Sequence, residues 1–186
     1  IKLDDGGPIF FKQTRIGLHG RRFQMYKFRS MVTNAEEVKK KLMQETGQTD
    51  RFIFKMKDDP RITRVGRFIR RTSLDEFPQF LNVLKGDMSL VGPRPERPEL
   101  AKVITKNIPE FEYRLKVKAG LTGYAQVHGR YCTTSYDKLK LDLTYIRNYS
   151  IWLDLKLILM TPKVLLMKES TDGFEEGLWE DPALKE

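Results

Sequence analysis

Two adjacent carboxylates, Asp75 and Glu76, have the residue types and spacing best suited to chemistry in this chain. They follow an arginine-rich stretch and lie at the start of a helical pattern over residues 73–85. One carboxylate of such a pair can attack an electrophile covalently, and the other can hold Mg²⁺, which prefers oxygen ligands. The structural alternative is a capping box, with Ser73 as N-cap and Glu76 at N3. Pro78 weakens that alternative, because inside the helix its missing N–H removes a hydrogen bond.

Several cations of the chain are arranged in ways that suit phosphate. Lys27 and Arg29 are two residues apart in a strand pattern, so both side chains point to one face. Arg70 lies near the end of residues 58–71, where arginines recur at helical spacing. Arg94 stands between two prolines, which fix the backbone on both sides of it. Strand-edge charges, a solvated or lipid-facing helix and a plain linker are the alternatives that remain open.

The distribution of charge indicates an anionic partner. The 186 residues carry a formal net charge of +9, and residues 1–72 hold 18 Lys or Arg against 8 Asp or Glu. Such an excess suits phosphorylated small molecules, a membrane surface or nucleic acid, or it is simply solvated. One cysteine excludes an internal disulfide, and two histidines argue against a histidine-based metal centre. The sequence contains no uncharged apolar run of about 20 residues that would cross a bilayer as a helix.

The elements that must position these residues follow from the hydrophobic patterns. Two aromatic-rich strands flank a glycine-bounded turn and predict a hairpin over residues 9–29. Residues 119–130 predict a loop with a short strand, and residues 169–186 a loose acidic tail. Helices are predicted over residues 34–47, 58–71, 73–85, 96–118 (with a break near Pro109) and 136–168. The sequence therefore predicts a single α+β domain over residues 1–186, mostly helical, with a small N-terminal β-hairpin.

Residues 151–167 form the most apolar segment of the chain. Charged residues and Pro162 interrupt it, so it is too polar to span a membrane and apolar enough for a buried or interfacial helix. Packing in the core is the favoured interpretation. The chain begins at Ile1 without a methionine, and we expect its natural N-terminus to lie upstream.

Four segments together resemble the bacterial sugar transferases, the monotopic phosphoglycosyl transferases that begin capsule and exopolysaccharide synthesis. The segments are residues 7–31, 70–99, 118–130 and 137–159. The combination of KFRSM, SLDEFPQFLNVLKGDMSLVGPRP and GLTGYAQVHGR is highly specific to that family. The resemblance implies transfer of a sugar 1-phosphate from a UDP-sugar to polyprenyl (undecaprenyl) phosphate, with release of UMP. Members that move glucose or galactose phosphate resemble the C-terminal segment best.

The resemblance also assigns roles to individual residues. Asp75 corresponds to the family's nucleophile, which carries the phosphosugar covalently, and Glu76 to the ligand of Mg²⁺, the implied cofactor. Lys27 corresponds to the lysine of the KFR segment, as a catalytic residue. Arg70 and Arg94 correspond to the family's phosphate-binding arginines, and Arg29 is expected to bind phosphate because it shares a strand face with Lys27. His128 stands where the family often has Asn, and we expect it to affect the choice of sugar rather than catalysis.

The resemblance implies the partners and location as well. The partners are the UDP-sugar, polyprenyl phosphate and the anionic membrane surface at the cytoplasmic face of the bacterial inner membrane, and a homo-oligomer remains open. The family's N-terminal membrane anchor is absent from residues 1–186. Nucleic acid is not expected, because no recognition motif accompanies the basic charge. The alternative is a non-catalytic basic module that binds anionic membrane or nucleic acid.

Overall fold

The structure is a computed structural model that describes residues 1–46, 59–129, 134–166 and 181–184. It confirms a mixed α+β chain that is mostly helical. The strands are β1 (Phe10–Ile16), β2 (Arg22–Phe28), β3 (Met88–Val91) and β4 (Ala119–Thr122). The α-helices are α1 (Lys2–Asp5), α2 (Ala35–Thr46), α3 (Arg64–Arg71), α4 (Phe80–Leu84), α5 (Pro98–Asn107), α6 (Tyr124–His128), α7 (Ser135–Arg147) and α8 (Ile151–Leu166). Short 3₁₀ helices comprise Leu18–Gly20, Leu74–Gln79, Pro109–Lys116 and Pro182–Leu184.

The predicted hairpin is confirmed. Strands β1 and β2 pair antiparallel, from Phe10 opposite Phe28 to Ile16 opposite Arg22. The rings of Phe10 and Phe28 stack with centroids 5.5 Å apart, a cross-strand aromatic contact that fixes this register. Gly20 closes the turn with a φ of 75°, which glycine adopts without steric cost. The buried face of β2 packs Met25 against Met88 of β3 and Ala119 of β4.

Helix α3 is shorter than the predicted helix over residues 58–71. It begins at Arg64, because the Thr63 side chain accepts a hydrogen bond from the Gly66 amide and caps the helix. Arg61, which belongs to the predicted helix over residues 58–71, therefore lies outside the observed helix. It is buried and forms an ion pair with Asp59, with 2.6 Å between Nη2 and Oδ2.

The predicted helix over residues 73–85 is divided into two pieces. Residues Leu74–Gln79 form a 3₁₀ helix that contains Pro78, and α4 follows directly. Ser73 has a φ of 54°, in the left-handed region, and its side chain makes no capping hydrogen bond. The capping-box alternative is therefore wrong, because a capping residue holds an extended backbone and Ser73 does not.

Strands β3 and β4 form a parallel pair, and helix α8 packs against both of them. The break near Pro109 is confirmed, because α5 ends at Asn107 and a 3₁₀ helix begins at Pro109. The strand predicted within residues 119–130 is confirmed as β4, but Tyr124–His128 forms helix α6 where a loop was predicted. Gly92, after β3, leaves no room for a Cβ, because a Cβ there would clash with the Lys118 carbonyl oxygen.

Part of the predicted loose tail is packed against the domain. Ala183 is 6% exposed and lies in an apolar cluster with Ile104, Phe111 and Leu139. Asp181 accepts a hydrogen bond from the Ser135 amide at 2.8 Å, at the start of α7. The prediction of a loose tail is thus wrong for residues 181–184, and the other residues of that segment lie outside the described ranges.

Helix α8 is less buried than the favoured core-packing interpretation predicted. Leu157 is fully buried, whereas Ile151, Trp152 and Leu159 are 74–81% exposed. Helix α8 thus presents an apolar face to its surroundings. No helix in the described ranges is both long enough and apolar enough to cross a membrane.

Candidate active site

The acidic pair lies in the first turn of the 3₁₀ helix Leu74–Gln79. The left-handed backbone at Ser73 reverses the chain between α3 and this helix. Two main-chain hydrogen bonds fix the reversal, from the Ser73 amide to the Arg70 carbonyl at 3.0 Å and from the Glu76 amide to the Ser73 carbonyl at 3.2 Å. A non-glycine residue at positive φ is strained, and the surrounding structure must hold it there. The reversal brings the pair against β2, which packs on the 3₁₀ helix.

The Glu76 carboxylate forms ion pairs with two side chains from different parts of the fold. Lys27, near the end of β2, donates from Nζ to Oε1 at 2.8 Å. Arg94, in the loop after β3, donates from Nη1 to Oε2 at 3.3 Å and from Nη2 to Oε1. The Arg94 side chain is 43% exposed, compared with 20% for Lys27 and 22% for Glu76. Arg94 is therefore the cation most accessible to an incoming anion.

The two cations determine the charge state of Glu76. Burial alone would raise the pKa of Glu76, but Arg94 and Lys27 outweigh burial and hold that pKa well below its usual range. Glu76 in turn raises the pKa of Arg94. Burial lowers the pKa of Lys27, although the charge of Glu76 opposes this effect. Glu76 is thus a fixed anion whose main work here is to hold two cations in place.

The carboxylate of Asp75, unlike that of Glu76, has no hydrogen-bonding partner among the described residues. Burial raises the pKa of its carboxyl, and the charge of Glu76 adds to the rise, whereas Lys27, Arg70 and Arg94 lower it. The result is a partly desolvated carboxylate that accepts no hydrogen bond from a described residue and feels the charge of three cations. A carboxylate in this state is a better nucleophile than a paired one, because no donor occupies its lone pairs.

The structure brings Lys27, Glu76 and Arg94 into direct contact, with Asp75 and Arg70 within electrostatic reach. Arg70 lies in the last turn of α3 and lowers the pKa of Asp75. These five residues come from four separate parts of the chain, and they are five of the six that the sequence predicted as site residues.

The sixth predicted residue, Arg29, has a different setting. It follows β2 directly and is 6% exposed. Its Nε donates to the Pro8 carbonyl at 2.7 Å and its Nη1 to the Met31 carbonyl at 2.9 Å. These bonds attach the N-terminal segment to the end of the hairpin. A role for Arg29 in binding phosphate stays a prediction.

Asn82 supports the site and carried no signal in the sequence. It is fully buried on α4, and its Oδ1 accepts a hydrogen bond from the Tyr26 amide at 3.0 Å. Its Nδ2 donates to the Gln24 carbonyl at 2.7 Å. Asn82 therefore makes the hydrogen bonds that a third strand would make at the edge of β2 away from β1. These bonds fix the main chain beside Lys27, which follows Tyr26.

The fit of Mg²⁺ depends on the donors that the site offers. No group of three or more His, Cys, Asp or Glu suited to a metal is found within the described ranges. Mg²⁺ is commonly held by one or two carboxylates together with substrate phosphates and water. Asp75 and Glu76 supply such oxygens: none of the described residues donates to the Asp75 carboxylate, whereas both oxygens of Glu76 accept hydrogen bonds from cations. The donor set thus suits an ion that is bound together with a diphosphate.

Comparison with known proteins gives consistent matches to one family. A profile described as bacterial sugar transferase matches residues 1–168. The chain is 51% identical over 164 residues to the galactosyl transferase CpsE of Streptococcus agalactiae, which covers 88% of this chain and 36% of that protein. It is 44% identical over 171 residues to an undecaprenyl-phosphate galactose phosphotransferase of Salmonella typhimurium, covering 89% of this chain and 35% of that protein. A UDP-glucose:undecaprenyl-phosphate glucose-1-phosphate transferase of Escherichia coli is 43% identical over 166 residues, 87% of this chain and 33% of that protein. The chain spans about a third of the length of these relatives.

Proposed function

The chain belongs to the bacterial sugar transferase family, and on that premise we propose that it transfers a sugar 1-phosphate from a UDP-sugar to polyprenyl phosphate. The observation that carries the proposal is the division of work within the acidic pair. Glu76 is bound by Lys27 and Arg94, whereas no residue in the described part of the chain donates a hydrogen bond to the carboxylate of Asp75 beside it. A free carboxylate among cations suits attack on a phosphate, which is itself anionic and needs the cations for approach.

The proposed reaction has two displacements at the same phosphorus. A carboxylate oxygen of Asp75 attacks the phosphorus that bears the sugar. The bond from that phosphorus to the bridging oxygen breaks, and UMP leaves with the electron pair. A phosphate oxygen of the polyprenyl phosphate then attacks the phosphorus of the aspartyl intermediate. The bond to Asp75 breaks, the carboxylate is regenerated, and a polyprenyl diphosphate sugar is released.

The neighbouring cations have separate tasks in this scheme. Arg94, the most exposed of them, is placed to bind phosphate oxygens as the substrate arrives. Lys27 is less exposed, donates to Glu76 and lowers the pKa of Asp75, so in this scheme it would stabilise the charge that accumulates on the phosphoryl group. Arg70 would assist Lys27 in favouring the ionised form of Asp75, since both lower its pKa against the larger effect of burial, which raises it. Arg29 is retained as a phosphate ligand only as a prediction of the sequence.

We propose Mg²⁺ as the cofactor, held by Glu76 and Asp75 together with the diphosphate. When bound, the ion would neutralise part of the charge on the diphosphate. The proposal predicts that UMP release needs Mg²⁺ and stops with a chelator. Full activity in excess chelator would remove Mg²⁺ from the proposal and leave the aspartyl intermediate intact.

We also propose that the chain works at a membrane surface, on the cytoplasmic face of the bacterial inner membrane. The exposed apolar face of α8, with Ile151, Trp152 and Leu159, supports contact with lipid. The excess of basic residues in the first 72 positions favours an anionic surface. Polyprenyl phosphate, the proposed acceptor, would be presented at this surface.

The experiment is a measurement of UMP release from UDP-glucose and UDP-galactose, with undecaprenyl phosphate in detergent and Mg²⁺. We expect release by the wild type, none by Asp75→Asn and wild-type release by the control Asp137→Asn, which changes an exposed aspartate of α7. Equal release by wild type and Asp75→Asn would refute the role of Asp75. An inactive wild type that binds nucleic acid with steep salt dependence would favour the non-catalytic basic module instead.

A further inference from the structure

The Pro-Arg-Pro loop, residues 92–96, contains Arg94 and is held in place by an unusual set of hydrogen bonds. Pro93 and Pro95 have no N–H, so this loop is held largely through its carbonyls. The Pro93 carbonyl accepts from the Gly120 amide at 3.0 Å. The carbonyls of Arg94 and Pro95 accept instead from side chains, those of Arg114 and Arg15, at 3.0 Å each. Two arginine side chains therefore donate to this loop the hydrogen bonds that a neighbouring strand would donate to an extended chain.

Arg114 is itself fixed by buried partners. It is 5% exposed, and its Nη2 lies 2.7 Å from Oδ2 of Asp142, which is 1% exposed. Its Nε donates to the same oxygen at 3.0 Å. The Phe111 ring covers the guanidinium, with 4.4 Å between Cζ and the ring centroid. The same Nη2 thus bridges Asp142 on α7 and the carbonyl of Arg94.

We propose that Arg114, oriented by Asp142, is a positioning residue that fixes the main chain of Arg94 and so directs the Arg94 guanidinium onto Glu76. The inference rests on the proposed function of the Asp75 site, and neither Arg114 nor Asp142 was singled out by the sequence. The argument is geometric. A long side chain reaches a given point reliably only when its Cα and carbonyl are fixed, and the prolines leave few other ways to fix them.

Arg114→Lys is the variant that isolates this role. Lysine keeps a positive charge beside Asp142, so the carboxylate does not lose its counterion, but a single ammonium cannot reproduce the planar fork that binds both partners. We expect the turnover number for UMP release to fall by about tenfold to a hundredfold, the cost typical of a misplaced catalytic group. Asp142→Asn should lower it in the same direction, because Arg114 then loses the partner that orients it.

The matched control is Asp181→Asn. Asp181 is also a buried carboxylate that contacts α7, where it binds Ser135, and it has no described bond to the Pro-Arg-Pro loop. Its replacement tests whether any disturbance of a buried carboxylate at this helix lowers turnover. We expect Asp181→Asn to lower the thermal midpoint and to leave the turnover number within about threefold of the wild type.

A double-mutant cycle distinguishes positioning from general support of the fold. If Arg114 acts through Arg94, Arg114→Lys should lower turnover by less than about threefold in an Arg94→Ala background, because there is no guanidinium left to position. A purely structural role predicts the same factor in both backgrounds, and that result would overturn the inference. So would wild-type turnover by Arg114→Lys.

Hydrogen exchange gives a readout that does not depend on turnover. We expect peptides covering residues 92–97 to exchange faster by about tenfold in Arg114→Lys and at the wild-type rate in Asp181→Asn. Unchanged exchange in Arg114→Lys would contradict positioning whatever the enzyme does. A wild type that releases no UMP from any UDP-sugar would refute the proposed function, and the exchange measurement would still decide whether Arg114 holds the loop.

Discussion

Removal of the Asn82 side chain should loosen the hairpin that carries Lys27. In Asn82→Ala the Tyr26 amide loses its acceptor and the Gln24 carbonyl loses its donor, at the free edge of β2. A third hydrogen bond, from Nδ2 to Oδ2 of Asp87 at 3.2 Å, is lost as well. Among the described residues, no other side chain of α4 forms hydrogen bonds with the main chain of this edge.

The expected magnitude follows from these three hydrogen bonds. Each contributes about 1 kcal/mol net to stability, and a buried group left without a partner costs about 1–3 kcal/mol. Gln24 is an exposed residue, so water can replace the donor at its carbonyl. We therefore expect Asn82→Ala to lower the free energy of unfolding by about 2 kcal/mol.

The assay is urea denaturation of the variant beside the wild type and the control Asn148→Ala. Asn148 is an exposed asparagine after α7 that donates to the Thr144 carbonyl, and its loss should cost no more than about 0.5 kcal/mol. Asn82→Asp adds a test of charge, because it places a second carboxylate beside Asp87, so its destabilisation should shrink on acidification. An Asn82→Ala variant as stable as Asn148→Ala would refute this account of how β2 is held.

Three further predictions concern the site and its frame. Burial raises the pKa of Asp75 in the folded protein, so stability falls as pH rises from the usual aspartate pKa to that raised value. Asp75→Asn should therefore raise the thermal midpoint at neutral pH, and a lower midpoint would contradict this account. The pKa of Glu76 is lowered in the fold, so its contribution is lost as pH falls below the usual glutamate range; Glu76→Gln should cost about 1–2 kcal/mol in urea titrations at neutral pH, and no cost would show that Lys27 and Arg94 do not need its charge. Gly66→Ala should destabilise α3 by about 1–3 kcal/mol although alanine favours helices, because its Cβ would clash with the Ser30 carbonyl; a stabilised variant in thermal unfolding would contradict that packing.

Much of the fold was predictable because local patterns determine it. The strands of the hairpin, helix α2 and the break near Pro109 all follow from aromatic content, capping residues and proline, which act within a few residues. The start of α3 and the shape of the next segment did not follow, because both depend on contacts that a local pattern does not show. The main chain of Arg61 and Thr63 bonds to Val32 and Ser30 instead of joining the helix. Ser73 adopts a positive φ, which a residue other than glycine seldom does.

The site was predictable in its members but not in its connections. Motif resemblance pointed to Asp75, Glu76, Lys27, Arg70 and Arg94 without indicating which carboxylate is paired. That assignment depends on the distance from β2 and from the Pro-Arg-Pro loop to the 3₁₀ helix Leu74–Gln79, which no local pattern reports. Residues that support the site, such as Asn82, were not predicted, because a sequence does not distinguish a buried polar residue from an exposed one.

Helix α8 and residues 181–184 show the limits of reasoning from hydrophobicity alone. The apolar segment was assigned to the core, yet most of its large side chains are exposed. The acidic tail was assigned to solvent, yet Ala183 lies in the core and Asp181 binds the start of α7. Both errors arise because average polarity does not reveal which surface of the domain is available for packing.

Mass spectrometry of the protein after incubation with a UDP-sugar and Mg²⁺, without polyprenyl phosphate, tests the central claim most directly. The account predicts a covalent phosphohexose on the peptide that contains Asp75, its loss when polyprenyl phosphate is added, and its absence in Asp75→Asn. The intermediate should still form in the control Asp137→Asn. An active wild type that carries no adduct, or an adduct that persists in Asp75→Asn, would contradict the claim that Asp75 is the nucleophile.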